Sequence, residues 1–230
     1  MMKFAVIADV HSNAGALNAV IEKLQDCELI INAGDITGYG PEPEKCIQLL
    51  KNNKRIKNIM GNHDYSVLTL DSSKLNDLAG QAAAHNSKNI SDESRNFLKS
   101  LPENMKINAD GFRIYVCHGS PLSMHQYVYE DTPAQTLNLW LEKTNCNAII
   151  MGHTHRVFAR KLKNGWILNP GSVGQPRDSN PKPSFITAET GKDEIKIEIK
   201  RTSYDIKSTA EKITGEKLPS FFAERLYDGL

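Results

Sequence analysis

Five short clusters of histidine, aspartate and asparagine, each placed directly after an apolar run, constrain this chain more than any other feature. They are Asp9-Val10-His11, Gly34-Asp35, Gly61-Asn62-His63-Asp64, His118-Gly119 and Gly152-His153-Thr154-His155. The runs before them, Lys3 to Ala8, Leu29 to Ile31, Ile59-Met60, Phe112 to Val116 and Ala148 to Met151, read as buried strands. Polar turns at strand ends of a layered α/β core gather along one edge of a sheet. Imidazoles, carboxylates and an amide brought together in this way have the layout of a metal site.

Helical signals separate the strands. Ala16, Leu17, Val20, Ile21 and Leu24 recur at helical spacing, with Asn13 as the cap. Glu42 to Asn52 reads as a second helix with Pro41 near its start. From Ser66 to Leu101 the chain reads as helical with breaks. Leu75, Leu78, Ala79 and Ala82 share one face, and Ser91 caps a further helix ending at Leu101-Pro102. Thr132-Pro133 opens another helix. Beyond Val157 two hairpins are expected: Val157 to Leu162 with Trp166 to Leu168 around Lys163-Asn164-Gly165, and Phe185 to Ala188 with Glu194 to Lys200 around Glu189-Thr190-Gly191-Lys192. The alternation Glu194, Lys196, Glu198, Lys200 marks the wet face of a strand. With no linker, internal repeat or low-complexity tract, one domain over residues 1–230 is expected.

Composition narrows the function classes. A chain of 230 residues, 40% hydrophobic, can bury a full core. A net charge of +1 offers no bulk attraction to long duplex nucleic acid or to a membrane surface. No apolar run approaches the roughly 20 residues of a membrane span, and Met1-Met2-Lys3 leads into a strand; a cytoplasmic location is expected. The four cysteines, Cys27, Cys46, Cys117 and Cys146, are far apart, form no Cys-x-x-Cys pair and read as small buried hydrophobes. Cys117 precedes His118, but strand alternation turns the two side chains to opposite faces.

In order and spacing, Asp9-x-His11, Gly34-Asp35, Gly61-Asn62-His63-Asp64, His118 and Gly152-His153-x-His155 resemble the five blocks of the calcineurin-like metallophosphoesterases. The resemblance covers roughly residues 3 to 177. His118-Gly119-Ser120-Pro121 and the run Asn169 to Arg177 look like the small bacterial and archaeal branch of phosphodiesterases and dinucleoside polyphosphate hydrolases.

That resemblance implies a four-layer α/β/β/α sandwich of two mixed sheets with flanking helices. It also implies a pair of divalent metal ions at one edge: Asp9, His11 and His155 at one, Asn62, His118 and His153 at the other, and Asp35 bridging. Mixed oxygen and imidazole donors suit manganese or iron first, with zinc, nickel and magnesium as alternatives. The implied reaction is phosphoester hydrolysis by in-line attack of a metal-bound hydroxide. His63 would face the substrate, stabilising the transition state or protonating the leaving oxygen, and Asp64 would hold the His63 ring and raise its pKa. The expected substrate is a small phosphodiester or a dinucleoside polyphosphate. The alternatives are a phosphomonoesterase, including a Ser/Thr protein phosphatase, and a catalytically silent metal-bound interaction scaffold.

Three further residues carry substrate-binding expectations beside plainer ones. Asn13 either faces substrate or caps its helix. Arg177, in a Gly- and Pro-rich segment, either clamps a phosphate or lies on the surface. Tyr39, between Gly38 and Gly40, either stacks on a base or packs on the fold. His85 and His125 match no block and read as helix-surface and loop residues. Gly38-Tyr39-Gly40 and Gly171 to Gly174 lack the Lys-Ser/Thr of a P-loop and the third glycine of a dinucleotide fingerprint. The absence of a Gly-x-Ser-x-Gly elbow leaves Ser120 and Ser172 without a nucleophilic role. Leu218 and Phe221-Phe222, near the end, are expected to pack on the core.

Overall fold

A computed structural model describes residues 1–191 and 195–230. The first part of the chain runs through β1 (Lys3–Ile7), α1 (Ala14–Glu22), β2 (Leu29–Asn32), α2 (Pro43–Asn52), β3 (Ile56–Asn58), α3 (Asn62–Thr69), α4 (Asp77–Lys88) and α5 (Asp92–Ser100). There follow β4 (Asn104–Ala109), β5 (Phe112–Cys117), α6 (Ala134–Thr144), β6 (Ala148–Ile150), β7 (Val157–Lys161) and β8 (Trp166–Pro170). Last come β9 (Ser184–Thr190), β10 (Ile195–Arg201), α7 (Ile206–Gly215) and α8 (Ser220–Asp228).

Two five-stranded mixed sheets result, with strand orders β10-β9-β1-β2-β3 and β4-β5-β6-β8-β7. In the first, β1, β2 and β3 are parallel and β9 runs antiparallel to both β1 and β10. In the second, β5, β6 and β8 are parallel, with β4 and β7 antiparallel at the edges.

The period-2 alternation of each strand explains the layering. Phe4, Val6 and Ala8 meet Ile114, Val116, Ile150 and Leu168 in the core between the sheets. Ala5 and Ile7 point the other way, onto Leu17 and Val20 of α1, Leu24 in the turn after it, and Cys46, Ile47 and Leu50 of α2. Tyr115 and Ile149 of the second sheet face Leu137, Trp140 and Leu141 of α6. Helices therefore cover the outer face of each sheet, the expected α/β/β/α arrangement.

Local signals held in most places. Asn13, Asn76 and Ser91 cap α1, α4 and α5, each accepting a backbone N–H three residues on. Both late hairpins form; the expectations for Lys192 and Glu194 lie outside the described residues. Elsewhere the structure corrects the reading. Pro43, not Pro41, takes the first turn of α2, where its missing N–H costs nothing. Leu78 is turned toward solvent while Ala79 and Ala82 are buried, because the buried face of α4 runs through Ala79, Ala82, Ala83 and Asn86 and Leu78 sits one residue off it. The strand β4 and the helices α7 and α8 are additions. Leu218 and Phe222 are buried as expected, but Phe221 is 48% exposed.

Candidate metal centre

The parallel strands β1, β2, β5 and β6 end on one side of the molecule, and the polar clusters follow directly. Beyond the strand ends the β1–β2 pairing is continued by loop backbone: Asp9 N donates to Gly34 O (3.0 Å), His11 N to Asp35 O (3.0 Å) and Ser12 N to Ile36 O (2.9 Å). The second sheet is tied in by Gly152 N to His118 O (2.8 Å), and the Gly171–Gly174 loop by Gly174 N to Asp9 O (2.9 Å). Asp9, His11, Asp35, His153 and His155 all adopt positive φ, between 46° and 68°. Such a conformation is costly for non-glycine residues and persists where the surroundings over-determine it. Gly61 is required for a different reason: a Cβ there would lie 2.7 Å from Cγ of Asp35.

Seven donor-bearing residues, Asp9, His11, Asp35, Asn62, His118, His153 and His155, are all buried and converge here. Three sets of ligand atoms fall within 4.8 Å of one another: Asp9, His11 and His155; His11, Asp35 and His63; Asp35, His118 and His153. His11 and Asp35 each belong to two of them, which links the three sets into one cluster.

The protons of the imidazoles show what the cluster is built for. His11, His118 and His155 each direct Nδ1 at a backbone carbonyl, Thr37 O (3.1 Å), Ala33 O (2.8 Å) and Gln175 O (2.6 Å). That contact fixes the Nδ1–H tautomer and leaves Nε2 as an inward lone pair. His11 Nε2 then lies 2.9 Å from His155 Nε2, with Asp9 Oδ1 at 3.6 and 3.4 Å from them. His153 has its Nε2 3.3 Å from His125 O, leaving Nδ1 free. Among the described residues the buried Asp35 Oδ2 has no hydrogen-bond partner, although His118 Nε2 is 3.1 Å and His11 Nε2 3.6 Å away. Lone pairs and carboxylate oxygens facing one another repel unless positive charge lies among them, so the donor set fits divalent cations.

With only the protein's own charges acting, protons take the place that cations would hold among these donors. Burial, with reinforcement from Asp35, pushes the Asp9 carboxyl up to about 8 against the pull of His118. Burial opposes the charged form of His118, yet the Asp35 carboxylate carries it up to about 9. For Asp35 itself, burial is outweighed by His118 and His63, which hold it below the usual carboxylate range.

His63 and Asp64 stand in the first turn of α3. Asp64 does not hold the His63 ring. Its carboxylate accepts from Gly61 N (3.0 Å), Ile36 N (3.2 Å), Thr37 N (2.8 Å) and Thr37 Oγ1 (2.8 Å), closing the helix N-terminus and tying it to the loop after β2. The His63 ring is instead packed edge-on to His11 and tilted against Tyr39, with Nδ1 buried and unpartnered. Its pKa is not raised as expected: burial lowers it to about 4, against the pull of Asp35. The helix geometry explains the exchange of roles, since the third helical residue faces back to the cap while the second faces outward.

A pocket of about 80 Å³ opens onto Asp35, Asn62, His63, His153 and His155, and Tyr39 and Arg177 also line it. Arg177 is half-buried with Cζ 5.4 Å over the Tyr39 ring, and its Nη2 donates to Gln175 Oε1 (2.9 Å) while Nε is unpartnered. Tyr39 is only 8% exposed. Its ring packs against His11, His63 and Phe222 beneath Arg177, so no face is open for a base. The Asn13 side chain is taken up by its cap bond to Ala16 N and by bonds to Gly174 O and Tyr204 (3.0 Å each), which removes it from a substrate role. Cys117 turns away from His118 toward Ile150 O, and His85 lies beside Glu216, far in character from the centre.

Lys74, His125 and Tyr127 also line the pocket, and none was singled out as a binding residue from sequence. The Tyr127 ring stacks on His153 with centroids 4.1 Å apart. Only the alternation Tyr127-Val128-Tyr129 hinted that two aromatic rings share a face.

A family model described as the calcineurin-like phosphoesterase superfamily domain matches residues 2–193. An uncharacterized protein of Methanocaldococcus jannaschii is 34% identical over 98% of this chain and 97% of its own length. Among solved structures, a metallophosphoesterase from Sphaerobacter thermophilus superposes with a TM-score of 0.81 at 28% identity, covering 100% of this chain and 99% of that one. A hypothetical protein from Pyrococcus horikoshii reaches 0.91 at 22% identity with the same coverage, a likeness of fold. With the five motif blocks gathered where strand ends of both sheets meet, rather than along one edge of one sheet, and the match spanning most of its length, the chain belongs to the calcineurin-like metallophosphoesterases.

Proposed function

We propose that this protein hydrolyses a small phosphodiester or a dinucleoside polyphosphate at a dinuclear metal centre. The observation that carries the reading is the convergence of seven buried donors around Asp35, an unpartnered carboxylate oxygen among them. Asp9, His11 and His155 would hold one cation, Asn62, His118 and His153 the other, and Asp35 both. When bound, the two cations supply charge neutralisation for the phosphoryl oxygens and acidify water. Manganese or iron suits the donor set best.

The protein's own groups do the rest. Nδ1–H contacts to backbone carbonyls hold three imidazoles in one tautomer and orientation. Arg177, its Nε unpaired and its guanidinium steadied over Tyr39, offers charge to a phosphate oxygen at the pocket rim. His63 is neutral in the buried pocket; an arriving phosphate anion raises its pKa, so that the ring takes up a proton from solvent and passes it to the leaving-group oxygen, returning to the neutral form.

The test compares bis-p-nitrophenyl phosphate with p-nitrophenyl phosphate after chelation and manganese restoration. A manganese-dependent rate dominated by the diester supports the reading. Dominance of the monoester moves the assignment to a phosphomonoesterase, and metal binding without turnover on either ester moves it to the interaction scaffold.

A further inference from the structure

The pocket over the candidate metal centre holds about 80 Å³, whereas sites that enclose a whole small ligand hold roughly 300–1,000 Å³. It has room for a phosphoryl group and little else. The ester group of any substrate must therefore lie across the pocket rim, and the residues met there decide which esters are accepted.

On one side of that rim stand two tyrosines. Tyr127 lines the pocket, lies against His153 with an interplanar angle of 30°, and is 52% exposed. Tyr129 is 43% exposed, with its ring within 10° of parallel to Tyr127 at a centroid separation of 6.2 Å. It lines an open groove of about 750 Å³ whose other lining residues are Glu130, Asp131, Arg156, Val157, Phe158 and Arg160, so the carboxylates and guanidiniums balance and the groove offers no net attraction to a second phosphate. The two rings thus connect the phosphoryl pocket to a groove of nucleoside dimensions.

Their placement follows from local structure. Val128 between them is buried among Leu137, Trp140, Met151 and Phe158, so extended alternation sends both neighbours to the opposite, open side. The loop is braced along its length: Ser120 Oγ donates to Gln126 Oε1 (2.5 Å), and Tyr129 N to Thr132 Oγ1 (3.2 Å). Arg160 Nη1 donates to the carbonyls of Glu130 and Thr132 (2.6 Å each). Single exposed tyrosines on a surface are ordinary. Two with matched ring planes, on a braced loop beside the metal pocket, form a preorganised stacking surface whose rings lose little freedom on binding.

We propose that Tyr127 and Tyr129 form the platform on which a planar nucleobase of the substrate stacks, which makes this a nucleotide-directed phosphoesterase. The proposal rests on the phosphoesterase reading above. Base–aromatic stacking is sequence-tolerant, because every base has a π face, so the platform selects nucleotides as a class.

Calorimetric titration of the manganese-loaded protein with adenosine 5′-monophosphate and with ribose 5-phosphate separates the base from the phosphate. The nucleotide is expected to bind at least roughly 5-fold tighter, the lower end of stacking on one aromatic ring. Tyr127→Ala and, as a second truncation, Tyr127→Leu should abolish the nucleotide's advantage over ribose 5-phosphate, read as the ratio of the two affinities in each variant, while Tyr127→Trp keeps the preference. Equal affinities for the two ligands in the parent protein, or a preference that survives both truncations, overturns the platform. If the diester is hydrolysed while that preference is absent, only the platform falls. If no phosphoester is hydrolysed and ribose 5-phosphate does not bind, the phosphoesterase reading falls and takes the platform with it.

Discussion

Nε2 of His11 stands 2.9 Å from Nε2 of His155, although each ring has its Nδ1 against a backbone carbonyl. Two acceptor lone pairs are thereby held together inside the protein. Metal removal should be felt in stability for this reason. At a free metal concentration 100 times the dissociation constant, binding to the folded state alone contributes about 2.7 kcal/mol. Thermal melts of chelator-treated protein are expected to rise steadily with added manganese, and a melting temperature indifferent to metal would exclude a preformed site.

His63→Ala should lower turnover by about 10²- to 10⁴-fold, the usual contribution of a positioned proton donor. Elemental analysis of the variant should still find two metals per chain. The residue lies close enough to His11 and Asp35 to serve as a ligand, so a variant that loses one metal would reassign it to coordination.

Asp64 braces the loop after β2 and the start of α3 through four hydrogen bonds. Asp64→Asn turns an amide N–H toward buried donors, and leaving such groups unsatisfied costs about 1–3 kcal/mol. A lowered denaturation midpoint with an unchanged pH–rate profile is expected. The reverse result, a shifted profile at full stability, would restore Asp64 as the partner that tunes His63.

Asn13→Ala should destabilise by about 1 kcal/mol through loss of the α1 cap and leave KM unchanged. A raised KM at unchanged stability would return Asn13 to the substrate.

Tyr204 accepts from Asn13 Nδ2 (3.0 Å), and burial pushes its phenol up to about 12 from the ordinary 10.0. The folded state favours the protonated phenol. Its contribution is therefore complete below pH 10 and is lost as pH rises through about 12. Tyr204→Phe should flatten that alkaline limb in denaturant titrations, and an unaltered limb would assign it to another group.

Much of the candidate centre was legible because its residues sit in short blocks, and a block behind an apolar strand has few places to go. The strands β1, β2 and β6 announce themselves by short apolar runs buried on both faces, whereas β5 is interrupted by the exposed Arg113. The edge strand β4 carries the signal weakly, since Asn104, Lys106 and Asn108 alternate with Met105, Ile107 and Ala109 and only Ala109 becomes fully buried. Ile206, Ala210 and Ile213 have helical spacing, as do Leu218, Phe222 and Leu226, but their faces make sense only once Tyr39, Ala79 and Ala82 are beside them. The role of Asp64 was misjudged for a related reason, while Tyr39 took the plainer of its two readings and packs on the fold. Neighbours in sequence are not neighbours in space: the first turn of α3 sends Asp64 toward Thr37 and His63 toward Tyr39.

By itself the sequence determined the layered α/β core and the set of residues placed at strand ends, because period-2 burial and strand-end turns are local properties of the chain; that those ends belong to two sheets was decided by the tertiary structure. Tertiary structure alone decided which atoms meet there. The fixed tautomers of His11, His118 and His155, the unpartnered oxygen of Asp35, the covering of Tyr39 and the exposure of Tyr127 and Tyr129 all depend on carbonyls and side chains far away in sequence. Hydrogen bonding and packing act on positions in space, and those positions exist only after the two sheets have closed on one another.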